Sequence, residues 1–270
     1  MPFRTNKTFR QILADLQLEP GLQLCLDAGD AASYTSGQKW LDRANGYDFF
    51  LGTTGGAEAS DPTFNGVAGN LSENEYFSVD GADFFRYDST NEAWMDSLHK
   101  DNAKLSACGW FYINTLGVSQ GLFGDSNSGF GGIGVSLSLQ SSNILRFAQA
   151  YGGSPTAKLS SVATVPSGWN FLGVSIDEGA TVGILQINSI QETQTYSYTT
   201  PSSSSASFTF EIGSYGSADS PLASGDRIGA FMMWSGVALT AAQLMSIYQY
   251  PGVAFSSQVE RIVQTKMIGY

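Results

Sequence analysis

Residues 226–250 carry the clearest pattern of hydrophobic and polar positions in the chain. From Arg227 to Trp234 the side chains alternate between two faces, with Ile228 on the face of Trp234 and Arg227 on the opposite one, which predicts a β-strand. A Ser-Gly pair ends this strand, and Thr240 then stands as the N-cap of a segment whose apolar residues recur at helical spacing. The pattern predicts a strand followed at once by a short helix.

Six segments upstream extend this pattern over most of the chain. In chain order they are LQLCLD from residue 22, WLDRANGYDFFLG from 40, EYFSVDGADFFRY from 75, LSACGWFYIN from 105, PSGWNFLGVSIDEGATVGILQINS from 166 and FTFEIGS from 208. Together the seven pieces resemble laminin G-like domains over about residues 22–252. The resemblance implies an all-β fold, a concanavalin A-like jelly-roll β-sandwich, here with short terminal helical extensions. Such folds include lectins, adhesion modules, glycosidases and spacers, so the fold alone does not fix the function.

The composition agrees with a sandwich. Of the 270 residues, 42% are hydrophobic, 13% are aromatic and only 14% are charged, against a usual charged share of about a quarter. A sandwich can cover its outer faces with Ser, Thr, Asn and Gly instead. No polar linker divides the chain, so we predict one sandwich at 22–252 between an N-terminal extension at 1–21 and a C-terminal extension at 253–270.

The charge balance excludes two classes of partner. The formal net charge is −11, and the basic residues are scattered, so we expect no binding to nucleic acid and none to anionic membrane surfaces. The first residues contain no apolar stretch of signal-peptide length. A chain with the composition of an extracellular protein but no such signal suggests a virion protein, or alternatively an extracellular protein exported by another route.

Each extension carries an apolar stripe. The first consists of Phe9, Ile12, Leu13 and Leu16 before a Pro-Gly stop, and the second of Val259, Ile262, Val263 and Met267. Helices this short are marginal in water, so the stripes need cover. They could pack back on the sandwich, but we expect them to contact other subunits, as in a homo-oligomer or a virion capsid or tail.

The two cysteines, Cys25 and Cys108, both lie in apolar strand contexts. Buried free thiols are the ordinary state of such residues. A disulfide would require their strands to face each other at suitable distance, and the sequence leaves that open.

The residues for glycoside hydrolysis are missing from the predicted strands. The glucanases that share this fold place carboxylates at alternate positions of one strand, in the pattern E-x-D-x-(x)-E, which sets nucleophile and acid about 5 Å apart. No segment has this pattern, and the strands from residue 105 and from residue 130 contain no acidic residue. We therefore expect no enzyme activity.

Two kinds of ligand fit the remaining residues. Acidic turns could supply the oxygen ligands of calcium, the one cofactor that we consider; the candidates are Asp27, Asp30, Asp125, Asn127 and Asp226. Aromatic residues in or near loops could form a sugar platform; the candidates are Tyr151, Trp169, Tyr196, Tyr198 and Tyr215.

Three functions remain. The first is a structural or attachment subunit of a phage virion, such as a head-decoration, spike or fibre protein that could bind a host surface polysaccharide. The second is a lectin or adhesion module that binds glycans. The third is a glycosidase whose catalytic residues lie elsewhere. We rank them in that order.

Overall fold

The protein is an all-β sandwich of two eight-stranded sheets, as predicted from the sequence. The computed structural model describes residues 7–89, 92–127, 132–151, 155–196 and 204–250. The elements in chain order are α1 (Phe9–Asp15), β1 (Leu22–Asp27), β2 (Lys39–Trp40), β3 (Phe49–Leu51), β4 (Thr63–Asn65), β5 (Tyr76–Ser78), β6 (Phe85–Tyr87), α2 (Ala93–Asp96), β7 (Lys104–Ile113), β8 (Gln120–Gly124), β9 (Ile133–Leu139), β10 (Ile144–Tyr151), β11 (Pro155–Thr164), β12 (Gly168–Asp177), β13 (Val182–Ile187), β14 (Ile190–Thr195), β15 (Glu211–Ile212), β16 (Arg227–Ser235) and α3 (Ala241–Tyr248).

Each sheet pairs strands that are consecutive in the chain with strands that are far apart in it. Sheet A has the order β14-β13-β12-β7-β16-β5-β4, and β1 also pairs with β16. Sheet B has the order β11-β10-β9-β8-β15-β6-β3-β2. The last strand of the chain, β16, thus lies at the centre of sheet A, where it pairs antiparallel with β1, β5 and β7. Sheet A is complete only when the C-terminal part of the chain is in place.

The main core lies between the sheets. Along β7, Leu105, Phe111 and Ile113 point into it, while Trp110 and Tyr112 point to the outer face of sheet A. Its largest fully buried side chains are aromatic: Trp40, Phe49, Phe77, Phe85, Phe111, Phe123, Phe147 and Phe210. These residues account for the high aromatic content.

A second core covers the outer face of sheet A. Trp110 and Trp234 are buried there beneath α1 and α3. The indole N–H of Trp234 donates a hydrogen bond to the Leu18 carbonyl oxygen at 2.7 Å. Sheet A is therefore the middle layer of three, with sheet B on one side and helices on the other.

The N-terminal helix belongs to this second core, which corrects the expectation that its stripe contacts other subunits. Phe9, Ile12 and Leu13 are buried, Leu13 completely, and Leu16 packs at the edge of the same cluster. The reason is that sheet A has large apolar side chains on both faces and needs a cover. The other stripe, Val259, Ile262, Val263 and Met267, and the whole extension at 253–270 lie outside the described residues.

A β-bulge in β16 overturns the simple alternation predicted there. Ile228 pairs with Phe111 and Ala230 with Trp110, so Gly229 is an extra residue without an opposite partner. Ile228 consequently faces the main core, while Trp234 faces the helices. Arg227 lies on the face of Trp234 rather than opposite to it, because it stands directly across from Tyr112.

Side-chain caps define the two longer helices. Thr8 and Thr240 each accept a hydrogen bond from the backbone N–H three residues on, and a glutamine at that position bonds back to the cap residue. The predicted cap at Thr240 is thus confirmed. Within the described ranges, no helix combines the length and the hydropathy that crossing a membrane requires.

The two cysteines are buried free thiols. Both Cys25 and Cys108 pair with Met232, from opposite sides of β16. Two strand spacings of about 4.8 Å therefore separate them, which is too far for a disulfide without backbone movement.

Side chains close the corner between the sheet edges β14 and β11. The Glu192 carboxylate accepts hydrogen bonds from the backbone N–H groups of Val162 and Ala163, at 2.8 and 2.7 Å. The Gln194 side-chain amide donates to the Ser160 carbonyl oxygen at 2.8 Å. Two side chains of one sheet thereby occupy backbone groups at the edge of the other.

Candidate functional site

A row of aromatic and basic side chains crosses one end of the outer face of sheet A. Trp169 of β12 stands opposite Tyr112 of β7, and Tyr112 stands opposite Arg227 of β16 on its other side. Tyr76 of β5 completes the row, which we call the Arg227 row. Directly opposed residues of antiparallel strands point to the same face. In β5, Ser78 stands opposite Arg227, and Tyr76, two residues before Ser78, points to the same face. Four strands therefore present these four side chains together. All four are partly exposed.

The guanidinium of Arg227 lies between two tyrosine rings. Its central carbon is 4.5 Å from the centroid of the Tyr76 ring and 4.4 Å from that of Tyr112. Trp169 meets both rings edge-on, with centroid distances of 5.9 Å to Tyr76 and 5.6 Å to Tyr112. Cation–π attraction and these ring contacts hold the row as one packed unit.

The charge of Arg227 is not neutralised by the described part of the chain. Seven other Lys and Arg residues there form ion pairs with carboxylates. Neither an ion pair nor a side-chain hydrogen bond to a described residue includes the Arg227 guanidinium. Its N–H donors are thus open to a ligand at the surface.

Buried polar side chains fix the backbone on both sides of the row. The Asp226 carboxylate accepts hydrogen bonds from the backbone N–H groups of Asn114 and Thr115, at 2.7 and 3.2 Å. Asn170 donates to the carbonyl oxygens of Pro166 and Gly168, both at 2.8 Å. These residues adjoin Arg227, Tyr112 and Trp169 in the chain, so the row is held in place by its own strands.

The next row along the strands is covered. Trp110 and Phe171, two residues from Tyr112 and Trp169, pack against Tyr248 of α3. The helical layer thus lies over the centre of sheet A, and the Arg227 row lies at its border. An aromatic surface next to a packed layer and partly open to water is suited to binding a ligand.

Only Trp169 among the predicted glycan-binding residues belongs to this row. Tyr215 is 1% exposed, so the prediction that it contacts glycan is wrong. Tyr196 packs against the main core, away from the row. Tyr151 ends β10 in sheet B, with its side chain outside the described part, and Tyr198 also lies outside it.

The sequence prediction missed Tyr76, Tyr112 and Arg227. All three lie within strands, whereas the predicted glycan-binding residues were aromatic residues in or near loops. One signal was available: a glycine inside an otherwise apolar strand often marks a bulge, and Gly229 could have indicated that Arg227 changes face.

The predicted calcium ligands do not come together. Among the described residues, no three His, Cys, Asp or Glu side chains are placed to share a metal ion. Asp27 and Asp30 share one turn, Asp125 and Asn127 share one loop, and Asp226 lies apart from both. All five accept hydrogen bonds from backbone amides: Asp27 from Phe9 and Gly29, Asp30 from Ala32, Asp125 from Val135, Asn127 from Gly132, and Asp226 from Asn114 and Thr115. In the described structure, these side chains fix the backbone of turns and loops through hydrogen bonds.

Asp125 provides a test of this structural role. Burial raises the pKa of its carboxyl to about 8, although the Val135 N–H partly offsets the loss of water. Between its unfolded pKa and about 8, this carboxyl must take up a proton on folding. Its contribution to stability is therefore full below the unfolded pKa and is lost as the pH rises to about 8. In Asp125→Asn we expect this loss to disappear. The free energy of unfolding of the wild type should then fall relative to the variant by up to about 1.4 kcal/mol per pH unit, measured by urea denaturation from pH 5 to 9. If the free energies of unfolding of wild type and variant change equally with pH, this prediction is wrong.

Two clefts elsewhere have their charges paired internally. One, of about 560 Å³, lies beside α2, where Lys100 donates to Asp96 at 3.0 Å. The other, of about 300 Å³, contains Arg86, whose guanidinium binds the buried Glu211 carboxylate at 2.6 Å. Neither ion pair leaves a charge for a ligand, which makes the Arg227 row the stronger candidate.

Comparison with known proteins identifies similar folds but no family for this chain. No protein-family model and no curated protein matches the chain. Solved structures that match include a Trypanosoma rangeli sialidase mutant displaying trans-sialidase activity, with a TM-score of 0.53, 10% identity and 92% of this chain covered. Trypanosoma rangeli sialidase in complex with sialic acid gives 0.54, 11% and 88%. A structure from work on the dependence of botulinum neurotoxin type C cell entry on two ganglioside molecules gives 0.56, 14% and 86%.

This chain spans only part of each of those proteins. The matched region covers 39%, 34% and 52% of the three chains respectively. At these identities the likeness shows the shared sandwich fold.

Proposed function

We propose that this protein is a non-enzymatic carbohydrate-binding module and that the Arg227 row is its binding surface. The supporting observation is that Tyr76, Tyr112 and Trp169 stand partly exposed around a guanidinium that forms no ion pair with a described residue. The apolar C–H faces of a sugar ring pack against aromatic rings, and its oxygen atoms accept hydrogen bonds from N–H donors. Few polar groups among aromatic walls are typical of small-ligand sites.

The similar structures make glycans a sensible class to test. One of those proteins holds sialic acid, and cell entry of another depends on two ganglioside molecules. The shared fold brings no residue of those proteins to this chain, so the proposal depends on the Arg227 row itself.

The absence of enzyme activity is part of the proposal. Hydrolysis by paired carboxylates needs two acids that flank the sugar, and no member of the Arg227 row is acidic. The two carboxylates next to the row in sequence are buried: Glu75 accepts hydrogen bonds from Ser72, and Asp226 from backbone amides. A ligand on the row would be bound and released unchanged.

We expect Trp169→Ala to weaken glycan binding about tenfold, because losing one aromatic contact costs about 1.4 kcal/mol. A glycan array identifies ligands, and calorimetric titration then measures the affinity of both proteins. The matched control is Phe50→Ala, which removes a partly exposed ring that faces Lys39 on sheet B. Unchanged affinity in Trp169→Ala, or release of reducing sugar by the wild type, would refute the proposal.

A place in a virion, or alternatively outside the cell, stays a prediction. Its N-terminal support is lost, because the stripe of α1 packs within its own chain. Its remaining sequence support is the C-terminal stripe and the extracellular type of composition without a signal-peptide stretch. Co-purification of the full chain with a large particle, or with phage capsid or tail proteins, would support the virion assignment, and a monodisperse free protein in a phage lysate would oppose it.

A further inference from the structure

We infer that the glycan bound by the Arg227 row carries an oxyanion, a carboxylate or sulfate group, and that Arg227 binds it. This inference rests on the proposed function and narrows it to acidic sugars. Three observations support it. They are the position of Arg227 in sheet A, the two tyrosine rings that flank its guanidinium, and the lack of an ion pair between Arg227 and any described residue.

Arg227 differs from most Lys and Arg residues of the described part because it forms no ion pair with a described carboxylate. Acidic residues outnumber basic ones by 24 to 13, so carboxylates are plentiful for pairing. The seven paired Lys and Arg side chains of the described part show that such pairing is the rule. Arg227 instead contacts two neutral rings and forms no ion pair with a described residue.

The flanking rings favour an anion over a neutral group. Tyr76 and Tyr112 come from strands on opposite sides of β16 and lie within 4.5 Å of the guanidinium carbon. They exclude water from two sides of the cation, which strengthens its attraction for a charged partner. The guanidinium N–H fork matches the two oxygens of a carboxylate or sulfate, and such charge-assisted bonds are about twice as strong as neutral ones.

The rest of the protein decides what kind of anion fits. A net charge of −11 repels polyanions at long range, so the attraction must be local. The row contains one arginine among three aromatic rings, which fits a single acidic sugar whose ring packs on Tyr76, Tyr112 or Trp169. We expect an oligosaccharide with one acidic residue to bind better than a highly sulfated polymer.

The test compares sugars that carry one negative charge with sugars that carry none. Calorimetric titration at about 0.15 M salt, near physiological ionic strength, uses lactose, lactose carrying one terminal sialic acid, the methyl ester of that acid, and lactose carrying one sulfate. We expect the wild type to bind the sialylated or the sulfated sugar at least tenfold more tightly than lactose. The methyl ester keeps every ring of the sialylated sugar and lacks its charge, so it should bind at least tenfold more weakly than the free acid. Because esterification leaves the protein unchanged, this arm is independent of any effect on folding.

Two variants assign the effect to Arg227. Arg227→Gln should bind charged and neutral sugars within about threefold of each other, whatever its affinity for lactose. Lys158→Gln makes the same charge change on an exposed residue of sheet B and should keep the wild-type preference. Wild-type preference in Arg227→Gln, or its loss in Lys158→Gln, would overturn the assignment.

The outcomes also separate this inference from the proposed function. Equal binding of lactose and its charged forms by the wild type, lost in Trp169→Ala, would keep a carbohydrate-binding module and overturn the anionic preference. Binding of none of these sugars, and of no acidic sugar on the glycan array, would overturn both.

Discussion

Deletion of residues 1–20 is expected to unfold the sandwich instead of releasing it intact. The deletion removes Phe9, Ile12, Leu13 and Leu18 from the second core. Each contributes about 1.5–3 kcal/mol when fully buried, so the loss is roughly 6–12 kcal/mol, as large as the whole stability of many domains. It also removes the α1 side of the cover over Trp234 and its hydrogen-bond acceptor, the Leu18 carbonyl oxygen.

Circular dichroism and thermal unfolding of the truncated protein measure this effect. Point variants of α1 should have smaller effects on the free energy of unfolding. Leu13→Ala should lower it by about 2–5 kcal/mol. Ala14→Gln, on the exposed side of α1, should change it by no more than about 0.5 kcal/mol. A truncated chain with wild-type thermal stability would show that α1 serves contacts outside its own chain after all.

Trp234→Ala should be the most damaging single substitution among those proposed. The side chain is completely buried beneath the helices, and its removal leaves a large cavity at the centre of the second core. Truncation of a buried aromatic residue costs about 3–5 kcal/mol. The Leu18 carbonyl oxygen also loses its donor, which adds about 1–3 kcal/mol.

Urea denaturation compares this variant with two controls. Trp234→Phe keeps a large ring but removes the N–H donor, so it isolates the hydrogen bond. Trp169→Ala truncates the partly exposed tryptophan of the Arg227 row and should cost far less stability while it weakens glycan binding. Equal losses at the two tryptophans would mean that the outer face of sheet A is not divided into a structural part and a binding part.

The two-sheet fold was predictable because its strands carry their own signals. The segment from residue 105 has an apolar residue at every second position, and its small and aromatic residues suit a buried strand. The helix after Thr240 was predictable from its cap and apolar spacing. Such patterns indicate whether a segment forms a strand or a helix and which face of it is buried.

The cover on sheet A was harder to predict because an apolar stripe does not identify what lies on it. The run from Phe231 to Trp234 is apolar at every position, which indicates a strand buried on both faces. That signal favoured packing of the N-terminal helix on the sandwich. Tyr215, beside a glycine and serines, looked like a loop residue, but its ring packs against the backbone at Gly121.

The Arg227 row could not be predicted because it depends on strand pairing. Its members come from four strands whose order in the sheet is β12, β7, β16 and β5. Nothing local to Trp169 indicates that Tyr112 lies beside it, and the extra residue Gly229 reverses the face on which Arg227 would otherwise lie. Long-range register therefore creates the site from residues that are unremarkable in sequence.

The hydrogen bonds of Glu192 also affect how this molecule meets other copies of itself. An uncovered edge strand can add a strand from a neighbouring molecule, which is a common start of aggregation. Here the backbone N–H groups of Val162 and Ala163 are already occupied by a carboxylate from the opposite sheet. A second copy approaching this corner would find a negative charge in place of free donors. The same side chain that ties the sheets together thus helps to keep neighbouring molecules apart in concentrated solution.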